Sequence, residues 1–207
     1  MAVSATQPAV FFDKDGTLVD DLPYNADPAL VRFAPGAAAC VRRLQRAGYR
    51  LFVVSNQSGV ARGLFHESAL AAIEDRLRAW FIESGAELTA FYYCPHAAPE
   101  DLAGAASCNC RKPQPGMLLD AAAAHGIDLA RSWAVGDIMD DVEAGRRAGC
   151  HTVLRAEDAG DRARSPWPAP CFVADDLAAA ADMILAEASH DGCSQSSRAL
   201  EASYAAF

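Results

Sequence analysis

Two aspartates one residue apart, Asp13 and Asp15, end the apolar run Val10-Phe11-Phe12 and are followed by Gly16 and Thr17. A buried strand that stops this way delivers its last carboxylate to the C-terminal edge of a sheet. In open α/β sheets, ligands bind outside that edge, where the strand order switches. Two carboxylates held so close repel unless a cation shares them, and an all-oxygen site suits magnesium. One carboxylate can attack phosphorus, and the other can give a proton to the leaving group and take one from water. Gly16 permits a sharp turn that points backbone N–H groups at a phosphate. A calcium loop would need Asp or Asn at 17, Gly at 18 and Glu at 24, and the chain has Thr17, Leu18 and Tyr24. A plain Asp-Gly turn after a strand is the alternative that this motif alone leaves open.

A second cluster has metal-ligand character. Cys94-Pro-His96 is followed, after eleven residues, by Cys108-Asn-Cys110. Three thiolates and an imidazole suit tetrahedral zinc with no open position, which is a structural site. Arg111 and Lys112 follow directly. Seven cysteines, an odd number without an export signal, argue against a disulfide framework. Cys108-Asn-Cys110 is not C-x-x-C, so a redox role is not expected.

The elements that must carry these groups follow from periodicity. The passage 18–30 is turn-rich and polar, and is expected to lie over the pocket opened by Asp13. A helix is predicted from Pro35 to the Gly48 stop. A β-branched and aromatic run over 49–54 then predicts a buried parallel strand ending in polar Ser55-Asn56-Gln57-Ser58. Leu70, Ile73, Leu77 and Trp80/Phe81 mark one helical face within 66–84. A strand over 89–93, an irregular stretch over 95–110 and a helix over 115–125 follow. A strand over 133–135, a helix over 140–148 and a strand over 151–154 come next. A loop over 157–170, a strand over 171–173 and a helix over 175–188 complete the pattern.

Strands alternating with helices imply an α/β fold, a Rossmann-like three-layer sandwich with a central parallel sheet. Asp13, Ser55 and Asp137 each fall just past a strand, so all three can meet at one edge. No gap leaves an unassigned block of domain size, so no large cap domain is expected. Residues 1–188 read as one domain, and the serine-rich 189–207 as a disordered tail. Of 207 residues, 52% are hydrophobic, enough for a real core. The net charge of -9, dispersed along the chain, argues against a nucleic-acid surface. No apolar run reaches the ~18–20 residues of a membrane span. The first ten residues lack the basic and apolar regions of a signal peptide, so a cytoplasmic location is expected.

The polar stations stand in four ordered motifs: DKDGT (13–17), VVSNQ (53–57), RKPQPG (111–116) and GDIMDD (136–141). Together they make the chain resemble the haloacid dehalogenase superfamily of phosphotransferases, from about Val10 to the helix ending near 188. The resemblance implies Asp13 as a nucleophile that forms an aspartyl-phosphate, and Asp15 as acid and then base. It implies magnesium between Asp13, the backbone carbonyl of Asp15 and Asp137, with Asp141 supporting the metal from outside. Ser55 would hydrogen-bond a phosphoryl oxygen and Lys112 would balance phosphoryl charge. Alone, Ser55 is an ordinary end-of-strand hydroxyl, Lys112 a solvated charge, and Asp140 and Asp141 acids at a helix start. Their order and company favour the catalytic reading.

YYCPH…CNCRKPQPGML, with SNQSGVARG before it, further resembles the bacterial heptose bisphosphate 7-phosphatases and the related histidinol-phosphate phosphatases. That resemblance implies Asp21, Asn56 and Arg111 near substrate, with zinc on Cys94, His96, Cys108 and Cys110 fixing the loop that carries Arg111 and Lys112. Ile138 departs from it, because a charged residue often follows the metal aspartate there. The implied activity is removal of the 7-phosphate of a heptose 1,7-bisphosphate by a monomer without nucleic-acid or membrane partners, with histidinol phosphate the alternative substrate. Loss of Asp13, Asp15 or Lys112 would favour a non-catalytic binding module, and all three are present.

Overall fold

The computed structural model describes residues 6–98, 108–156 and 166–188. Its strands are β1 (Ala9–Phe12), β2 (Arg50–Asn56), β3 (Leu88–Cys94), β4 (Trp133–Gly136), β5 (His151–Arg155) and β6 (Phe172–Ala174). Its helices are α1 (Ala37–Arg46), α2 (Ala69–Glu83), α3 (Gly116–His125), α4 (Met139–Ala148) and α5 (Leu177–Glu187). The strands form one sheet in the order β3-β2-β1-β4-β5-β6, with every neighbouring pair parallel. The chain moves outward from β1 to β3 and then returns to β4 on the other side of β1. The switch in strand order therefore falls between β1 and β4, where a crevice opens beyond the strand ends.

A strand flanked on both faces must be apolar throughout, and β1 shows it. Val10 and Phe12 enter the core under α1, α2 and α5, whereas Ala9 and Phe11 enter the one under α3 and α4. Phe11 stacks on Phe52 with ring centroids 5.1 Å apart, and the His125 ring meets Phe52 edge-on at 5.2 Å.

The predicted three-layer architecture is the one observed, and the differences lie at element ends. α2 starts at Ala69 rather than His66, because His66 Nδ1 engages the Ser68 hydroxyl and N–H and holds a turn there. α5 starts at Leu177, because the Asp176 side chain accepts from Ala179 N–H at 2.8 Å and caps the helix. β3 runs to Cys94, which makes the first cysteine of the cluster part of the sheet. Part of the predicted 157–170 loop and the whole 189–207 tail lie outside the described residues. No helix among the described residues is long and apolar enough to cross a membrane.

Phe52 is fully buried between both aromatic partners. Phe52→Ala is expected to cost about 3–5 kcal/mol of unfolding free energy. Urea denaturation checks this, and a loss below about 1 kcal/mol would mean the core is not packed this way.

Candidate active site

Asp13 is the first residue past β1, and its N–H donates to Val135 O of β4 at 2.8 Å, which seats it at the switch. The Lys112 ammonium reaches it from the turn before α3. It donates to Asp13 Oδ1 and, at 2.9 Å, to Val54 O, and it lies 2.6 Å from Asp141 Oδ1. Lys112 is only 3% exposed, so it is a buried counterion. Its position is set by Asn56 at the end of β2. The Asn56 amide donates to Lys112 O at 3.1 Å and accepts from Lys112 N–H at 3.0 Å.

Asp137 follows β4 and completes the floor. Thr17 Oγ1 donates to Asp137 Oδ1 at 2.9 Å. Gly16, at φ +78°, comes so close that a Cβ there would fall 2.3 Å from Asp137 Oδ2, so no other residue fits that turn. Arg155, at the end of β5, donates to Gly16 O at 2.5 Å and ties the turn to the sheet. Asp141 has two duties. Its Oδ2 accepts from Ile138 N–H at 3.3 Å at the start of α4, while Oδ1 is buried beside Lys112 without an aligned hydrogen bond.

That oxygen, paired with Lys112 by charge but not by a hydrogen bond, bears on metal binding. Asp13, Asp137 and Asp141 each place a carboxylate oxygen within 4.8 Å of the others. When ionised, three carboxylates against one ammonium leave two negative charges, which a divalent cation neutralises. The donors are hard oxygens, the set magnesium prefers. The residues present therefore fit a divalent cation.

Electrostatics agree. Burial pushes the Asp13 carboxyl up to about 8, with Lys112 offsetting only part of the effect and Asp141 adding to it. Burial and then Asp141 push Asp137 up to about 6. Burial works against the Lys112 ammonium, yet Asp13 and Asp141 outweigh it and hold its pKa above the usual lysine value.

The Asp15 carboxylate turns away from this trio. Its Oδ1 meets Lys14 Nζ at 2.5 Å, and its Oδ2 accepts from Gln57 Nε2 at 3.0 Å. Gln57 Nε2 also donates to Ser55 Oγ at 2.8 Å. Asp13, Asp15, Asp21, Ser55, Asn56, Lys112, Asp137, Ile138 and Asp141 line one cavity of 210 Å³. A second, of 260 Å³, shares Asp15, Asp21 and Asn56 and extends along Leu22, Pro23 and Tyr24 to Gly59. The structure thus brings Asp13, Asp15, Asp21, Ser55, Asp137 and Asp141 together, whereas Asp140 accepts from Trp167 Nε1 at 3.1 Å and lines neither cavity. Arg111 also lines neither cavity, and its Nη1 donates to His96 O at 3.4 Å. Sequence reasoning missed Lys14, Gln57 and Arg155.

The Cys/His cluster lies behind Lys112. Cys94 Sγ is 3.4 Å from His96 Nδ1, 3.5 Å from Cys108 Sγ and 3.1 Å from Cys110 Sγ. All three thiols are free. Burial pushes the Cys94 thiol up. Cys108 is brought down to about 7, because backbone N–H donation from Arg111 and contacts with the neighbouring thiols outweigh burial. Four soft and imidazole donors this close suit tetrahedral zinc.

A phosphatase from Pseudomonas aeruginosa, D-glycero-beta-D-manno-heptose-1,7-bisphosphate 7-phosphatase, is 40% identical over 85% of this chain and 97% of its own length. The chain belongs to the haloacid dehalogenase-like hydrolases. A Hydrolase-like family model, described as HAD-hydrolase-like, matches residues 109–180. D-glycero-D-manno-heptose-1,7-bisphosphate 7-phosphatase of Thermosynechococcus vestitus is 39% identical over 86% of this chain and 95% of its own. The crystal structure of the D,D-heptose 1,7-bisphosphate phosphatase from B. bronchiseptica, complexed with magnesium and phosphate, superposes with a TM-score of 0.75. It is 34% identical and covers 87% of this chain and 99% of that one.

For this haloacid dehalogenase-like hydrolase, the raised Asp13 pKa has a sign. Without metal, burial raises the Asp13 pKa in the folded protein from the unfolded value of 3.8 toward about 8. Without metal, this group's contribution to stability is whole below the lower value and is lost as pH rises to the upper one. Metal-free wild type should therefore lose more thermal stability between about pH 5 and about pH 8 than Asp13→Asn. Magnesium should restore more to the wild type. Parallel melting curves for the two proteins would contradict the burial described here.

Proposed function

We propose that this chain is a magnesium-dependent phosphatase that removes the 7-phosphate of a heptose 1,7-bisphosphate through a phosphoryl-enzyme on Asp13. The observation that carries the reading is Asp13, buried and ion-paired to Lys112, on the floor of a cavity that also presents Asp15 and Ser55. The relatives described above supply the substrate class.

Asp13, Asp137 and the backbone beside Asp15 would hold the cation, with Asp141 behind them. When bound, magnesium neutralises charge on the phosphoryl oxygens and on the carboxylates. The protein's own groups do the rest. An Asp13 oxygen attacks phosphorus in line while the bond from phosphorus to the sugar oxygen breaks. Asp15 gives its proton to that departing oxygen, so the sugar leaves as an alcohol. Asp15, now a carboxylate, takes a proton from water as the water oxygen attacks phosphorus, and Asp13 is released with inorganic phosphate. The Lys112 ammonium offsets the negative charge gathered at the floor. Ser55 Oγ accepts from Gln57, which leaves its own hydrogen free for a phosphoryl oxygen.

The outer cavity gives room for the remainder of a sugar bisphosphate, and the Asp21 carboxylate on both cavity walls can accept from sugar hydroxyls. For Arg111 to grip the second phosphate, its guanidinium must leave the His96 carbonyl. Phosphate release should show a kcat/KM on heptose 1,7-bisphosphate at least about 100-fold above that on hexose monophosphates, the scale on which well-placed binding groups discriminate. Asp13→Asn should abolish turnover. Preference for histidinol phosphate, or full turnover by Asp13→Asn, would overturn the reading.

The same reading assigns zinc to Cys94, His96, Cys108 and Cys110. Elemental analysis of protein purified without added metal should find one zinc per chain, and Cys108→Ser should lower both zinc content and melting temperature. Retention of both by that variant would remove the assignment.

A further inference from the structure

In the phosphatase reading Gln57 serves only as the donor to Ser55, yet its side chain also reaches Asp15. Ser55 and Gln57 stand two residues apart at the end of β2, so their side chains emerge on the same face. The Gln57 N–H donates to Cys94 O at 2.8 Å, which fixes the main chain to the neighbouring strand. The residue is 4% exposed. Its Nε2 donates to Ser55 Oγ at 2.8 Å and to Asp15 Oδ2 at 3.0 Å. The amide nitrogen faces Asp15, the orientation an ionised carboxylate requires because it can only accept.

The Asp15 side chain, by contrast, is 29% exposed, and Lys14 holds only its Oδ1. A donor on each oxygen fixes the plane of the carboxyl. As the Asp15 proton passes to the sugar oxygen and the phosphorus–oxygen bond breaks, negative charge grows on both carboxyl oxygens. An N–H already aimed at Oδ2 meets that charge without reorganising.

We infer that Gln57 is a positioning residue that aims the Asp15 carboxyl at the leaving-group oxygen and stabilises it as the proton departs. The inference rests on the acid role of Asp15 proposed above. It implies a dependence on the leaving group that a merely structural role would not produce. An alkyl phosphate needs a proton to leave, whereas p-nitrophenolate leaves without one. The ratio kcat/KM reads only the steps up to the first irreversible one, so hydrolysis of the phosphoryl-enzyme does not enter it.

The test compares Gln57→Met, Gln57→Glu and Asp15→Asn with wild type, each magnesium-replete and matched in melting temperature, on a sugar phosphate and on p-nitrophenyl phosphate. Gln57→Glu keeps the shape and replaces the donor with an acceptor, so it serves if the methionine variant folds poorly. Both Gln57 variants should lose roughly 10- to 100-fold more on the sugar phosphate than on the aryl ester, a share of what general acid catalysis contributes. In an Asp15→Asn background, Gln57→Met should add no further leaving-group dependence. Equal losses on both substrates in the Gln57 variants, with Asp15→Asn still selective, would overturn the role of Gln57 alone. Equal losses in Asp15→Asn would instead overturn the acid role of Asp15 on which it rests.

Discussion

The Lys112 ammonium, buried between Asp13 and Asp141, is the contact on which the rest of the site depends. Three carboxylates that meet out of water repel strongly and are costly to desolvate. One fixed cation lowers that cost but does not cancel it. The remaining charge is carried by protons or by a divalent cation, which is why Asp13 and Asp137 are both pushed up in pKa when the protein alone surrounds them. A site built this way is poised to take up a metal and a phosphate together. It also explains why the turn at Gly16 and the close approach of Gly136 to Asp141 tolerate no larger side chain.

A lysine in the turn before α3 cannot hold this place by itself. The clamp between Asn56 and the Lys112 peptide ties it to β2, and the Cys/His cluster stands directly before it. The Arg111 N–H donates to Cys108 Sγ at 3.4 Å, and the Cys94 carbonyl accepts from Gln57 N–H. The cluster is therefore joined to the catalytic floor at two points, once through Lys112 and once through Gln57. A metal held by the cluster would thereby help to order Lys112 and Gln57 beside the cavities.

The sheet and most of the floor were legible in the sequence. Apolar runs ending in Asp13 and Asp137 announce strands that open onto a ligand, and the strand over 49–54 did the same for Ser55. Other placements were not legible, for local reasons. Asn56 lines both cavities, and its amide also pairs with the Lys112 backbone, across 56 positions that no local pattern reveals. Arg111 sits beside Lys112 in sequence, yet successive side chains diverge, and its guanidinium ends on His96 O. Lys14 resembles a solvated charge between two aspartates but is 1% exposed. For Gln57 a signal existed: its two-residue offset from Ser55 at a strand end places both on one face.

Among four neighbouring aspartates, Asp13 is the group proposed to bond to phosphorus. Acid quenching during turnover of heptose 1,7-bisphosphate, followed by peptide mass spectrometry, tests it most directly. The expected result is a phosphoryl group on the peptide carrying residues 13–17, localised to Asp13 and absent from Asp13→Asn. A phosphoryl group on Asp15, Asp137 or Asp141, or turnover with no phosphoryl-enzyme at any quench time, would contradict it.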